Sequence, residues 1–352
     1  MIVPYTLLKN IIWIEISLVI LIIIITYSLK FLFYLNERHK KRLSEQIEFY
    51  LSTFLLTKQS FSEKDFLKQW KRLDLVLPII YKIDQTNHDE SWNAVRDAVV
   101  RNVLLPIARK KYDSYRWMNR LLSVQCFEIA MDDHDEEMVC NLLMDKIPLI
   151  HMHAVIAAVR HSTITMINIV ISSMAEKRRL GQTVYLKVFE QAAPHTRDFI
   201  ESRLNMETNP YTRATCYKIL LEFPMSQSEL SIDTSADINS PNIELRLAAI
   251  RFTAYAHREN AIPLLIELLS NESWETRATC ARLLGDLNSK SVIPELTKCM
   301  KDPVWWVRVN AANSLKNLGD EGLNVLHTQD PNVDLYAYET AMHVLNKPSI
   351  HK

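Results

Sequence analysis

An arginine recurs at a fixed spacing of 31 residues in the C-terminal half of the chain, at Arg246, Arg277 and Arg308. Each stands near the start of a similar segment: ELRLAAIRF, ETRATCARL and WVRVNAANS. The same shift superposes Pro263 on Pro294. A period of this length is typical of a solenoid, in which each helical hairpin buries its apolar face only against its neighbours. We therefore predict a stack of helical repeats that presents a long surface.

The repeat extends in both directions from these three segments. The pentapeptide TRATC occurs at 212–216 and again at 276–280, which places Arg213 in the series. A final unit begins at Asp330 and has Tyr336 where the arginine would stand. A deviant last unit is expected because a terminal repeat must cap the stack against water. Arg120 is a degenerate counterpart in a region where the repeat is weaker.

Composition supports an almost wholly helical chain. Only four glycines occur in 352 residues, so turns that need a positive φ are scarce. The five cysteines are an odd number and form no CxxC pair, which favours reduced core thiols in the cytosol. Cys216 and Cys280 fall at apolar positions of the repeat.

The net charge is zero, but it is unevenly distributed. Residues 207–347 contain 13 lysines and arginines against 18 aspartates and glutamates, so the repeats are acidic. A solenoid that bound a phosphate backbone would need the opposite sign, which excludes nucleic acid as the expected partner. A basic cluster, Arg38–Arg42, lies in the N-terminal part.

The segment Ile11–Leu29 reads IIWIEISLVILIIIITYSL and predicts a transmembrane helix. At ~1.5 Å per residue it spans roughly 28 Å, close to the ~30 Å hydrocarbon core of a bilayer. No alanine precedes Ala94, so the small-residue cleavage site of a signal peptide is missing and we expect an uncleaved anchor. Only Lys9 precedes the segment, whereas Lys30 and Arg38–Arg42 follow it, so positive-inside bias places the C-terminal side in the cytoplasm.

These features predict six regions along the chain. They are a short extracytoplasmic tail at 1–10, a transmembrane helix at 11–35, a juxtamembrane helical region at 36–113, divergent helical repeats at 114–206, clear repeats at 207–347 and a tail at 348–352.

The clear repeats resemble HEAT repeats, in particular the bacterial form called PBS-lyase HEAT-like. The resemblance rests on Ile262-Pro263, Ile293-Pro294, the Asp302-Pro303 turn, Val307-Arg308 and the Leu-Gly-Asp ending at 284–286. It implies an all-α fold, a right-handed α-solenoid of helical hairpins, here preceded by a single transmembrane helix. The resemblance says little about function.

One face of each second helix is predicted to be buried. Counted from Arg277, positions −1, 3, 4, 7 and 10 are apolar or small, at helical spacing. The arginine stands at the end of this face, and we expect it to bond turn carbonyls and acidic groups of the adjacent repeat. The predicted structural ladder comprises Arg213, Arg246, Arg277 and Arg308. Asp302-Pro303, Ser240-Pro241 and Asp330-Pro331 are each predicted as an N-cap followed by proline at the first helical position.

The opposite face carries polar residues at positions +5 and +9, which we call the polar stripe. It consists of Lys218, Arg251, Arg282, Asn313, Glu222, Tyr255, Asp286 and Asn317. These side chains are expected to face a groove, as a mixed-charge protein-binding surface or as a merely solvated face. Trp274, Trp305 and Trp306 are a second candidate. We expect at least one to pack in a repeat joint and Trp305 or Trp306 to be exposed as a binding anchor.

Other clusters are weaker. His151 and His153 are two residues apart, whereas ligands on one helical face are three or four apart, so no metal is predicted. The acidic run from Asp132 to Glu137 has no glycine or calcium-loop pattern and is expected to be a solvated loop. No nucleophile elbow, phosphate loop, HExxH or dinucleotide fingerprint occurs, so no catalytic residue, cofactor or small-molecule substrate is predicted.

We interpret the chain as a scaffold or adaptor anchored in a bacterial inner membrane. Its N-terminus is expected outside the cytoplasm and its repeats inside. The repeats are expected to bind a protein partner, for example a member of a membrane complex. Two alternatives stay open. One is an accessory subunit of a membrane enzyme, such as an envelope polysaccharide glycosyltransferase. The other is a lyase or isomerase resembling the phycobilin lyases, which carry related repeats but are soluble.

Overall fold

The computed structural model describes residues 5–57, 71–87, 89–176, 182–193, 195–223 and 232–346, and every regular element in these ranges is helical. The predicted all-α class is confirmed. The chain divides into two compact units, Met1–Ala157 and Ala158–Lys352. The predicted tail 348–352 and residues 1–4 of the predicted tail 1–10 lie outside the described residues.

The α-helices from the N-terminus are α1 (Tyr5–Thr57), α2 (Leu73–Asp84), α3 (Glu90–Val99), α4 (Leu105–Ala108), α5 (Trp117–Ile129), α6 (Glu136–Leu143) and α7 (Pro148–His161). Those that follow are α8 (Ile164–Glu176), α9 (Gln182–Val188), α10 (His195–Met206), α11 (Pro210–Leu220), α12 (Ser235–Ile238), α13 (Ile243–Ala256), α14 (Arg258–Leu268), α15 (Trp274–Asp286), α16 (Ile293–Cys299), α17 (Trp305–Asn317), α18 (Asp320–His327) and α19 (Leu335–Leu345). A π-helix at Val100–Leu104 and 3-10 turns at Asp133–Asp135, Phe189–Gln191 and Lys290–Val292 complete the set for the described residues.

Helix α1 contains the predicted transmembrane segment and continues on both sides of it for a total of 53 residues. Its large apolar side chains from Trp13 to Leu35 are 42–69% exposed, and the helix is long and apolar enough to cross a membrane. A core helix of a soluble protein would bury such side chains. Further along, α1 becomes amphipathic, since Ile47 and Leu51 are fully buried where it packs beside α2.

The second unit contains helical hairpins in which the second helices α13, α15, α17 and α19 pack side by side. Arg246, near the start of α13, donates to Thr276 Oγ1 near the start of α15 at 3.1 Å. Tyr255, near the end of α13, donates to Asp286 Oδ2 at the end of α15 at 3.1 Å. Because one hydrogen bond joins the N-terminal parts of α13 and α15 and the other joins their C-terminal parts, these two helices run parallel.

Small residues bring the second helices close together, as the buried-face pattern predicts. Cys280, Ala281 and Leu284 of α15 are fully buried. Ser314 of α17 donates from Oγ to the carbonyl of Ala281 at 2.8 Å. A Cβ added to Gly285 would lie 2.3 Å from the Ser314 Oγ, so the approach of the two helices at this point requires glycine.

The X-Pro pairs form turns before the helices instead of capping them, so the N-cap prediction is wrong. The N-cap lies two residues after Asp302 and Ser240 and four residues after Asp330, at Asp334. Asp302 accepts from the backbone N–H of Val304 at 2.8 Å, and α17 begins only at Trp305. Ser240 bonds the N–H of Asn242 in the same way at 3.2 Å, and Asn242 is the N-cap of α13. A side chain that bonds its own backbone two residues on closes a turn, and this competes with capping.

Candidate protein-binding surface

Arg277 joins one repeat to the next. Its Nε and Nη2 donate to the two carboxylate oxygens of Asp302, in the following turn, at 2.8 and 3.1 Å. Its Nη1 donates to the carbonyls of Asn271 and Glu272, in the turn of its own repeat, at 2.9 and 3.0 Å. Burial alone would raise the pKa of Asp302, but the hydrogen bonds from Arg277 and Val304 hold that pKa below its usual range. The carboxylate therefore stays charged and paired at neutral pH.

Arg213 makes the same kind of contacts, with the carboxylate of Asp237 and the carbonyl of Glu207. Asp237 also accepts from the buried Tyr217 hydroxyl at 2.7 Å. Arg120, in the first unit, likewise bonds Asp145 at 2.6 Å and the carbonyl of Ser114 at 2.8 Å. An arginine that bonds both a turn carbonyl before it and an acidic side chain after it therefore also occurs outside the clear repeats.

Arg246 and Arg308 depart from the expected acidic partners. Arg246 bonds Thr276 and the carbonyl of Ser240, at 3.1 and 3.0 Å. Arg308, which is only 7% exposed, bonds Thr340 at 3.3 Å and the carbonyl of Asp302 at 2.8 Å. In these two joints the inter-repeat bond is made to a hydroxyl, so the ladder alternates between ion pairs and neutral hydrogen bonds.

The polar stripe is less accessible than predicted. Lys218 is half-buried and pairs with Glu244 of the next second helix, and Arg251 is also half-buried. Neither presents a free cation to a groove, which corrects the prediction for these two residues. Burial follows from close packing of neighbouring helices, since long side chains at +5 lie along the adjacent helix.

An exposed part of the stripe is a cluster of three residues across two repeats. Asp286 accepts from the Tyr255 hydroxyl at 3.1 Å and from Arg282 Nη1 at 2.8 Å. Arg282 and Asp286 lie four residues apart on α15, with side chains 43% and 32% exposed. Because Arg282 and Asp286 neutralise each other, the cluster offers only a weak electrostatic attraction to a charged partner.

The tryptophans belong to a set of exposed apolar residues at equivalent points of successive repeats, which we call the aromatic surface. It consists of residues in the first turns of α15, α17 and α19: Trp274, Trp305, Trp306, Leu335 and Tyr336, with exposed fractions of 38%, 42%, 55%, 52% and 66%. The expectation that at least one of the three tryptophans packs in a repeat joint as a core aromatic is wrong, since all three are at least 38% exposed. Each stands in the first turn of its helix, and the buried face begins only afterwards, at Thr276 and Val307.

Ring contacts hold part of this surface in place. Trp305 and Trp306 form an edge-to-face pair with ring centroids 4.7 Å apart, and Trp305 also contacts the ring of His343 at 6.0 Å. The Arg308 guanidinium lies 5.3 Å from the centroid of the Tyr336 ring. Such contacts restrict the rotamers of exposed rings, which lowers the entropic cost of using them for binding.

The remaining sequence candidates have local structural partners. His151 bonds the carbonyl of Leu143 at 2.6 Å and His153 bonds Glu128 at 2.7 Å. Groups of three or more potential metal ligands do not occur among the described residues. Burial raises the pKa of the Cys216 and Cys280 thiols to about 12, so both stay protonated.

The acidic run is not a merely solvated loop, contrary to prediction. Asp135 is fully buried and accepts from Arg109 Nε at 2.6 Å, while Arg109 Nη2 bonds Asp132 at 2.6 Å. Burial alone would raise the pKa of Asp135, yet the hydrogen bond from Arg109 holds it below its usual range. This pairing fixes the connection between α5 and α6.

Comparison with known proteins agrees with the repeat pattern. Residues 232–316 and 262–342 match the family model of HEAT repeats. No curated protein sequence matches the chain. Among solved structures, YibA of Escherichia coli is 13% identical, with 74% of this chain and 100% of YibA covered and a TM-score of 0.37.

Two further solved structures have similarly low sequence identity and lower TM-scores. Human deoxyhypusine hydroxylase in complex with glycerol is 14% identical over 87% of this chain and 97% of that chain, with a TM-score of 0.29. An engineered protein is 12% identical over 79% of this chain and 86% of that chain, with a TM-score of 0.32. These TM-scores are all below 0.5, so the assignment depends on the family model and on the helices of the chain itself. Residues 232–342 of this chain are therefore identified as HEAT repeats.

Proposed function

We propose that this protein is a non-enzymatic scaffold, held in a membrane by α1, whose HEAT repeats bind a protein partner in the cytoplasm. The observation that carries the binding role is the aromatic surface. Tryptophan and tyrosine are the side chains most enriched among residues that dominate binding energy at protein interfaces. A series of them, exposed at equivalent points of successive repeats, is unusual for a surface that only meets water.

The membrane role is supported by the exposed apolar face of α1. Side chains from Trp13 to Leu35 are covered by no other described part of the chain, so a lipid environment is the cover that their chemistry requires. The proposed orientation is supported by the basic residues Arg38–Arg42 directly after the segment, because basic flanks favour the cytoplasmic side.

The partner should present apolar side chains to the aromatic surface. The repeats are acidic overall, but the rings of Trp305, Trp306 and Tyr336 offer contact area with little charge of their own. A scaffold of this type is compatible with two roles, an accessory subunit of a membrane enzyme and an adaptor between two proteins. The two roles differ only in the identity of the protein bound.

Cross-linking from the aromatic surface in native membranes tests the proposal. A photo-reactive phenylalanine analogue placed at Trp306, or separately at Tyr336, is expected to give one discrete adduct with another protein. The same analogue at Lys298, exposed on the first helix α16, serves as the control and should give none. Trp305→Ala together with Trp306→Ala should reduce the adduct from position 336 at least tenfold, because an anchoring tryptophan contributes ~2 kcal/mol or more.

Two results would oppose this assignment. An adduct of equal yield from all three positions would indicate nonspecific proximity. If the same analogue placed at Arg282 gave an adduct while positions 306 and 336 gave none, the binding site would move to the polar stripe.

A further inference from the structure

The basic cluster of α1 lines a cleft directly beside the apolar part of the helix. The last exposed apolar side chain of that part is Leu35, and Arg38 follows one turn later. At ~1.5 Å per residue, Arg38 to Arg42 lie roughly 5–10 Å beyond Leu35 along the axis. The polar headgroup region on each side of a bilayer is ~5–8 Å deep, so the cluster falls at its depth if α1 spans the membrane.

Helical spacing places the cations on one face. Lys41 and Arg42 lie three and four residues after Arg38, and Tyr34 precedes Arg38 by one turn. Glu45 lies one turn after Lys41 and Arg42. Together with Leu75 of α2 they line a cleft with a volume of about 830 Å³. This volume is in the range of sites that hold small ligands, roughly 300–1,000 Å³.

The cations of this cleft are available for a ligand. Within the described ranges, Arg38, Lys41 and Arg42 form no ion pair or hydrogen bond, and all three are exposed. Lys40 also lines the cleft and is paired, at 3.5 Å, with Glu37. Two carboxylates, Glu37 and Glu45, belong to the lining, so the cleft has an excess of positive charge but is not uniformly basic.

We propose that this cleft binds the phosphate-bearing headgroup of an anionic phospholipid in the leaflet that α1 enters. The inference rests on the proposed membrane role of α1. Arginine pairs of this kind bind phosphate oxygens by two parallel N–H donors, and the neighbouring Tyr34 ring suits the interface between headgroups and acyl chains. A cluster that only fixed the orientation of the helix would show no preference for a lipid class once the protein is inserted.

The test uses the full chain reconstituted in nanodiscs of mixed phosphatidylcholine and phosphatidylglycerol. After gentle extraction in detergent, native mass spectrometry measures the ratio of the two lipids that stay bound. We expect phosphatidylglycerol to be enriched several-fold over the bulk ratio. Arg38→Gln, Lys41→Gln and Arg42→Gln together should return the ratio to bulk, since each basic residue near the surface changes binding about fivefold.

A matched triple variant controls for net charge. Lys110→Gln, Lys146→Gln and Lys301→Gln remove three exposed cations elsewhere and should keep the enrichment. Enrichment that is absent from the wild-type chain, or that persists in the cluster variant, would overturn the inference. Displacement of the lipid by inorganic phosphate at constant ionic strength would assign the cleft to a soluble anion and also overturn it. Failure of the chain to enter nanodiscs at all would contradict the membrane role itself, so the two failures are distinguishable.

Discussion

Ile20→Lys combined with Ile23→Lys is expected to remove the protein from the membrane fraction. Both side chains lie in the middle of the apolar part of α1 and are about half exposed, at 51% and 49%. A lysine at the centre of a transmembrane helix costs ~2.5–3.5 kcal/mol, so two cost about 5–7 kcal/mol. That is enough to shift an inserted helix almost completely to the uninserted state. Alkaline carbonate extraction of membranes followed by immunoblotting measures the result.

The same two charges placed further along the same helix provide the control. Gln46→Lys with Phe49→Lys has the same spacing, and Phe49 is 74% exposed beyond the apolar part. This variant should stay in the membrane pellet like the wild-type chain. If the two double variants fractionate alike, the apolar part of α1 is not what holds the protein in the membrane.

Arg277→Ala is expected to lower the free energy of unfolding by about 1–3 kcal/mol. The substitution leaves the Asp302 carboxylate, only 11% exposed, without its cation and leaves two turn carbonyls without their donor. Arg282→Ala removes an exposed pair within one helix and should cost ~0.5 kcal/mol or less. Urea unfolding of residues 36–352 compares the two.

A double-mutant cycle separates the ion pair from the turn. If Arg277 and Asp302 act as a unit, Arg277→Ala with Asp302→Ala should cost less than the sum of the single substitutions. Equal losses for Arg277→Ala and Arg282→Ala would refute the assignment of Arg277 to the joint between repeats.

The sequence alone predicted the repeat class and the position of the arginines, because a repeated packing unit leaves a repeated pattern. For the contacts between repeats, the sequence predicts the type of contact but not the partner residue in each joint. The repeat pattern predicts that Arg277 bonds an acidic residue of the next turn. The threonine partners of Arg246 and Arg308 depend instead on the packing of each particular pair of helices. Periodicity identifies a face of a helix, but it does not identify the neighbour opposite.

The errors have a common physical origin in the ends of helices. The period places Trp274 and Trp305 at equivalent positions, but the first turn in which they stand precedes the buried face of the helix, so both stay partly exposed. Asp302 precedes a proline and looks like a cap, yet its side chain closes a turn and accepts from Arg277 instead. Asp135 was expected in water because its sequence neighbours are acidic, and its partner Arg109 lies 26 residues away.

The central claim is that α1 holds the HEAT repeats at the cytoplasmic face of a membrane. A reporter fused after Lys352 in a bacterial host tests it most directly. Alkaline phosphatase, which is active only outside the cytoplasm, should be inactive in this fusion, whereas a green fluorescent protein at the same position should fluoresce. Strong phosphatase activity with no fluorescence would place the repeats on the other side of the membrane and contradict the account.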